Sequence, residues 1–267
     1  MQTKSELTIT YLLNSGFLVR KGKKALLFDC FEDPAGVLPQ AVAELEELYI
    51  FASHAHFDHF SEQMTARYQA NAKRIFLSED IKALQPRLDA EKIVWLAPYS
   101  RWTGGGGTEG TPLGKAWTIA AEQAATAADS TAEPPLTVTS FSSTDEGTSF
   151  LVEWEGYRIF HAGDFNWWHW EGDTEENNKF ARNGFVKQMK RLAGLKCDIA
   201  FFPIDGRQEN AQGGGAKEFC AQTAARLLVG MHNVGYPRWT VPADFFEAGK
   251  EIEVWAPVVS GEKWRFA

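Results

Sequence analysis

The stretch "SHAHFDHF", residues 53–60, places His54, His56, Asp58 and His59 within six consecutive positions. The chain holds six histidines in 267 residues, so half of them lie in this one segment. Neutral imidazole nitrogen and carboxylate oxygen together suit a divalent cation such as zinc, iron or manganese. A cation held this way makes hydroxide available from water near neutral pH. In an extended H-x-H the two imidazoles leave the backbone on the same side. The D-H pair that follows, past a turn, can then face a second ion about 3.5–4 Å from the first. Four donors this close predict a dinuclear pattern; the bland alternative is an incidental surface cluster.

Such donors need rigid elements to aim them. "LTITYLLNSGFLVRKGKKALLFDCF" is rich in β-formers and is broken at Asn14-Ser15-Gly16 and at Lys21 to Lys24. It reads as consecutive antiparallel strands with a hairpin turn. "AVAELEEL" has apolar residues at helix spacing, and "LYIFAS" is a short buried strand. The histidine cluster thus follows a strand end, where a sheet can point loop side chains at one place. Residues 62–72 read as helix, "RIFLS" as strand, "SEDIKALQPRL" as a helix capped by Ser78, and "KIVWLA" as strand.

"TGGGGTEGTPLG" and "TIAAEQAATAADSTAEPPL" then break the pattern. No G-K-[S/T] follows the glycines, so this is a flexible Gly/Ala/Thr-rich loop around 103–134 rather than a phosphate cradle. "LTVTSFSS", "TSFLVEWEG" and "YRIFHAGD" are strands, and "TEENNKFARNGFVKQMKRLAGL" is an amphipathic helix ending near Gly194. "CDIAFFPID" reads as a buried strand, "GAKEFCAQTAARLL" as a helix and "LLVGMHN" as a short strand carrying His232. Two successive halves, each opening on antiparallel strands, predict an α/β fold. Two sheets would pack face to face with helices outside, a four-layer α/β/β/α sandwich spanning residues 1–267 as a single domain.

Composition narrows the partners. Against 27 Lys and Arg stand 35 Asp and Glu, a formal charge of −8, which disfavours a broad grip on nucleic acid or anionic membrane. No apolar run is long enough to span a bilayer. The opening "MQTKSELTIT" lacks the apolar core of a secretory signal and reads as a first strand. Cys30, Cys197 and Cys220 are odd in number and widely spaced, as expected of reduced, buried thiols in a cytoplasmic protein.

"HAHFDH" resembles the H-x-H-x-D-H motif of the metallo-β-lactamase fold superfamily. "FHAGD" after a strand and "GMHN" near the end follow in that superfamily's order. The length and the wording of "YRIFHAGD" look most like the branch that includes ascorbate-6-phosphate lactonase. The resemblance implies the four-layer sandwich, with metals at one edge of the two sheets. It implies that His54 and His56 bind a first metal, and Asp58 and His59 a second. Asp164 would bridge the two, and His232 would complete the second site. Zinc is the expected ion, with manganese or iron as alternatives, and one or two ions bound.

One departure stands out. The family usually supplies a further histidine to the first metal, yet none occurs here between His59 and His161. The corresponding loop, "FSSTDEGTSF", offers Ser142, Ser143, Thr144 and Asp145. Asp145 as an oxygen ligand would make the first site harder and friendlier to manganese or iron; otherwise that site is weak or empty.

His161, inside its strand, reads as structural or as orienting a neighbour. Trp167, Trp168 and Trp170 crowd around His169, either as packing or as a pocket wall, with Trp168 the candidate substrate contact. Asp29 and Asp205 both end strands and are candidates to support the site from behind. Arg207 is a candidate receiver of an anionic group. The expected activity is a metal-dependent hydrolase acting on a small-molecule ester, lactone, amide or phosphodiester, with Asp58 placing the water or relaying its proton. There is no G-x-S-x-G nucleophile motif to compete. The alternatives are a degenerate metal-binding or ligand-sensing protein, and a nuclease. Oligomeric state is left open.

Overall fold

The strands of this chain are apolar on both faces, and their alternation assigns each face to a different core. The computed structural model describes residues 6–105, 109–114, 119 and 136–267. Most of the Gly/Ala/Thr-rich loop expected around 103–134 lies outside the described residues.

One sheet contains β1 (Leu7–Tyr11), β2 (Phe17–Lys21), β3 (Lys24–Phe28), β4 (Glu47–Ala52), β5 (Ala72–Ser78) and β6 (Ile93–Leu96). They lie in that order, and the C-terminal β15 (Lys263–Phe266) pairs with the free edge of β1. The other sheet contains β7 (Ser100–Thr103), β8 (Thr111–Pro112), β9 (Thr137–Ser142), β10 (Thr148–Trp154), β11 (Tyr157–His161), β12 (Lys196–Pro203), β13 (Ala224–Met231) and β14 (Glu253–Trp255). Its order is β14-β13-β12-β11-β10-β9-β7-β8.

Phe17, Val19, Leu26, Phe28, Phe51 and Phe76 point between the sheets, where they meet Phe150, Ile159 and Phe201. The intervening Leu18, Ala25, Leu27, Ile50, Ile75 and Leu77 point outward, beneath the helices Leu38–Ala43 and Glu62–Tyr68. Helices Glu175–Leu192 and Gly214–Gln222 cover the outer face of the second sheet through Phe185, Met189 and Phe219. Thr174 caps the first of these, its hydroxyl accepting from the Asn177 N–H. The molecule is thus a mixed α/β sandwich of two large sheets with helices on both outer faces.

Three local readings are corrected. Residues 79–84 form a 3-10 helix rather than an α-helix, and the Ser78 side chain makes no capping bond. Pro86 disfavours helical backbone at Gln85, which turns left-handed at φ 49° and leaves room for one short coil only. The helix read over "GAKEFCAQTAARLL" stops at Gln222, because parallel pairing of β13 with β12 overrides the helix propensity of the alanines. β13 is accordingly longer than the strand expected there. The strands β7, β14 and β15 carried too few apolar residues in sequence to be noticed.

Topology gathers chemistry at one rim. β3 and β4 are parallel, as are β11, β12 and β13. The turns leaving β1, β3, β4, β11, β12 and β13 open at the same edge as the β9–β10 loop. They carry Asn14, Asp29, the histidine cluster, Asp164, Asp205, His232 and Asp145.

Candidate metal centre

Ser53, the residue after β4, ties the two sheets together at that rim. Its N–H and hydroxyl donate to Asp29 Oδ1 and Oδ2 (2.8 and 2.6 Å), and its carbonyl accepts the Thr148 N–H (2.9 Å). The same hydroxyl meets His54 Nδ1 at 3.0 Å. Since it donates to Asp29, it accepts a hydrogen bond from His54 Nδ1–H, which leaves the His54 Nε2 lone pair free.

The freed nitrogen faces His56 Nδ1 at 3.0 Å and Asp164 Oδ2 at 3.6 Å. Asp145 Oδ2 lies 3.9 Å from His56 Nδ1, and Asp145, His56 and Asp164 converge as one donor group. On the other side of His56, Nε2 faces Glu146 Oε2 at 3.6 Å. This first group is partly open to solvent at His56 and Asp145.

A second group is more enclosed. His59 Nδ1–H donates to Asp29 Oδ2 (2.8 Å), and His232 Nδ1–H donates to Asp205 Oδ2 (3.0 Å). These carboxylates fix both tautomers and turn both Nε2 lone pairs toward Asp164 and Asp58. His59 Nε2 lies 3.1 Å from Asp164 Oδ1 and 3.8 Å from Asp58 Oδ2. His232 Nε2 lies 3.6 and 3.8 Å from the same two oxygens. Asn14 Nδ2–H donates to Asp58 Oδ2 at 3.0 Å and steadies that carboxylate.

These donors fit a cation. His59 Nε2 and Asp164 Oδ1 are both buried and have no hydrogen-bond partner, although they face each other. With one His59 proton held at Nδ1 by Asp29, Nε2 and Asp164 Oδ1 meet across 3.1 Å, which is repulsive unless a positive charge, a metal ion or the second proton of an imidazolium, sits between them. Ligands about 2.0–2.2 Å from one ion lie roughly 3–3.5 Å apart, close to the spacings of the second group. Two histidines with carboxylates on each side suit zinc, iron or manganese.

The backbone is held in uncommon conformations around this cluster. Asn14, Asp29 and His232 are non-glycine residues with φ of 53°, 40° and 61°. Sparse backbone states of this kind persist where surrounding contacts over-determine them.

Charge follows the same geometry. Burial disfavours the imidazolium of His59, but Asp164 and Asp29 outweigh it and hold the pKa well above the ordinary 6.5. His232 is likewise raised, with Asp164 and Asp205 overcoming burial. Despite burial, the carboxyls of Asp164 and Asp29 are held below 3.8 by the neighbouring histidines. His54 goes the other way: burial, helped by His59, pushes it down to about 4.

A pH dependence follows. The raised histidines stabilise the ion-free fold fully below pH 6.5, and that contribution is lost as pH rises through their folded values. The depressed carboxyls stabilise it above 3.8 and lose their contribution as pH falls. The depressed His54 and His161 lose their contribution as pH falls below 6.5, so the ion-free protein is expected to melt highest in a narrow window near pH 6.5. An ion must displace the His59 and His232 protons, so its stabilising effect grows above that window. Melting curves with and without zinc at pH 6 and pH 8 check this; a shift no larger at pH 8 contradicts it.

The remaining candidates fall into distinct places. His161 is fully buried, stacks on Phe28 (centroids 5.0 Å), donates from Nε2 to the Ser15 carbonyl and accepts at Nδ1 from the Gly163 N–H. Both its nitrogens are thereby used. His169 belongs to neither donor group. Of the tryptophans, Trp168 and Trp170 stack on each other (5.6 Å) and line a cleft of about 400 Å³ with Asp145, Asp164, Asn177, Arg207 and His232. Trp167 instead packs under Arg182, 4.3 Å from its ring, away from that cleft. Arg207 lines the cleft and directs Nε and Nη2 to Asp205, so its charge is paired with that carboxylate.

Burial raises the thiols of Cys30 and Cys220 to about 12, which leaves neither as a competing nucleophile. Sequence reading overlooked Asn14, Ser53 and Glu146. Asn14 passed as a strand breaker, although a polar turn at the ligand-bearing rim was a usable signal.

No protein-family model and no curated protein matches the sequence. Solved structures do match. The chain is similar to Igni18, a metallo hydrolase of the archaeon Ignicoccus hospitalis, at 18% identity and a TM-score of 0.55, covering 98% of this chain and 99% of that one. It is also similar to YhfI of Bacillus subtilis, a metallo-beta-lactamase fold protein, at 15% identity and a TM-score of 0.56, covering 98% and 100%. At such identities the likeness carries the architecture, and it spans both molecules from end to end. The chain therefore has the metallo-β-lactamase fold.

Proposed function

We propose that this protein is a metal-dependent hydrolase of small molecules. The observation that carries the reading is Asp164, whose two oxygens face two different groups of donors. His54, His56 and Asp145 would hold one ion with Asp164 Oδ2; Asp58, His59 and His232 would hold another with Asp164 Oδ1. Such ions, when bound, lower the pKa of water and polarise a carbonyl or phosphoryl oxygen. The structural neighbour from Ignicoccus hospitalis, named as a metallo hydrolase, is in keeping with this.

The chain's own residues do the remaining work. Asp58, steadied by Asn14 and partly exposed, stands where it can orient a water and take its proton. Zinc suits the enclosed second group. Asp145 and the half-open His56 make the first group harder, which favours manganese or iron there.

The cleft wall supports a substrate with an apolar part. Trp168 and Trp170 form that wall. The reading is an ester, lactone, amide or phosphodiester whose apolar side rests on Trp170. Acidic Asp145, Asp164 and Asp173 in the same cleft disfavour a nucleic-acid backbone. Three buried free thiols are in keeping with a reducing, cytoplasmic setting. Among the described residues no helix is long and apolar enough to cross a membrane.

Trp170→Ala is expected to raise KM about tenfold with kcat little changed, because it removes apolar contact without touching a donor. Steady-state kinetics check this, and an unchanged KM counts against the wall.

The defining experiment loads ion-free protein with zinc, manganese or iron, counts ions by elemental analysis, and assays aryl esters, lactones and bis(p-nitrophenyl) phosphate. Turnover that appears on loading and vanishes with chelator is the expected result. Full loading with no turnover on any of them would favour the ligand-sensing alternative, for which the solvent-open first group is the specific observation.

A further inference from the structure

We propose that Asp205, clamped by Arg207, is the positioning residue of His232 and sets how tightly the second donor group holds its ion. The inference rests on the metal-centre reading above and adds the part of the chain that tunes it.

Asp205 follows β12 and is 1% exposed. A buried carboxylate needs several partners, and among the described residues Arg207 and His232 supply them. Oδ1 accepts the Arg207 backbone N–H (2.8 Å) and Nε–H (3.0 Å). Oδ2 accepts Arg207 Nη2–H (2.5 Å) and His232 Nδ1–H (3.0 Å). The Arg207 fork thereby fixes the plane of the carboxylate, and the carboxylate fixes the imidazole.

His232 needs that hold. Its backbone sits at φ 61°, anchored by its N–H to the Asn14 carbonyl (3.2 Å), so the ring direction depends on its far side. Rotation about the side chain would carry Nε2 away from Asp58 and Asp164. Asp205 blocks that rotation and selects the tautomer with its lone pair at Nε2.

Asp29 performs the matching service for His59 but lies wholly inside the sandwich. Asp205 differs because its partner reaches the surface. Arg207 lines the cleft, and its guanidinium lies 5.6 Å from the centre of the Trp170 ring. One guanidinium thus touches the substrate cleft on one side and the support of His232 on the other.

The test uses the full chain, stripped of metal and titrated with cobalt(II) under competition from a chromophoric chelator. Wild type is expected to take up ions in two phases. Asp205→Ala should weaken one phase about 10- to 100-fold and leave the other unchanged. Asp205→Asn, which keeps the shape and an acceptor for Nδ1–H, should recover part of that loss. In the zinc-loaded protein, the slowly exchanging His232 Nδ1–H signal in nitrogen-15 spectra should be present in wild type and absent in Asp205→Ala. Far-ultraviolet circular dichroism of each ion-free variant separates unfolding from loss of positioning, and the isosteric Asn variant remains informative if the Ala variant fails to fold. The proposal is overturned if folded Asp205→Asn and Asp205→Ala bind cobalt as wild type does, or if both phases weaken equally. Wild type that takes up no ion at all would instead overturn the metal-centre reading, and the inference with it.

Discussion

Asp164→Asn is expected to abolish paired ion binding and to lower any ion-dependent hydrolysis by at least about a hundredfold. Asp164 faces donors on both sides: Oδ1 lies 3.1 Å from His59 Nε2 and 3.6 Å from His232 Nε2, while Oδ2 lies 3.6 Å from His54 Nε2. An amide at this position has lost the negative charge and presents a donor in place of one oxygen. Its NH2 can bond to the His59 lone pair and would occupy the space a cation needs. The fold should tolerate the change better than the chemistry does. In the ion-free protein the new amide bond replaces an ionic contact, and the acid-side dependence contributed by the depressed Asp164 carboxyl disappears. Elemental analysis after dialysis, alongside melting curves, checks both halves. Retention of two ions at wild-type affinity would remove Asp164 from the bridging position.

The motif at His54 to His59 could be read in sequence because both its chemistry and its scaffold are local. Four donors share one loop, and the strand before them shows as a short apolar run. Asp164 and His232 were legible through the order of their motifs, and the structure brings both to that loop. The first six strands were equally plain, since each is a short run of apolar and β-forming residues. What could not be read were the bonds that orient the donors. Asp29 reaches His59 across 30 positions, Asn14 reaches Asp58 across 44, and His161 reaches Ser15 across 146. No periodicity encodes such pairs. The Arg207 pairing was hidden for a related reason: its partner Asp205 is only two residues away, but that the side chain folds back on it shows only in the structure. The boundary at Thr223 was lost because "AQTAARLL" satisfies helix propensity, and only pairing with β12 decides for strand.

Gly147→Ala tests whether the rim is as tightly built as these bonds imply, and it is expected to cost about 2–5 kcal/mol and to empty the first donor group. Gly147 precedes β10 at φ 68°, a backbone state that side chains disfavour. A Cβ there would come within 2.2 Å of the Ser53 carbonyl oxygen and 2.5 Å of His54 Cβ. Neither neighbour can yield cheaply. The Ser53 carbonyl holds the Thr148 N–H, and the Ser53 hydroxyl sets the His54 tautomer, so relief of the clash pulls His54 away from His56 and Asp164. Gly22 supplies the control. It has a similar φ of 59° in the β2–β3 turn, yet nothing lies within 4 Å of its added Cβ. Gly22→Ala should therefore show the backbone strain alone, about 1–2 kcal/mol with ion binding intact. Urea unfolding of the two ion-free variants, together with ion counts on each, separates strain from collision. If Gly147→Ala costs no more than Gly22→Ala and keeps its full complement of ions, the rim can move, and the rigid aiming of His54 by Ser53 is wrong.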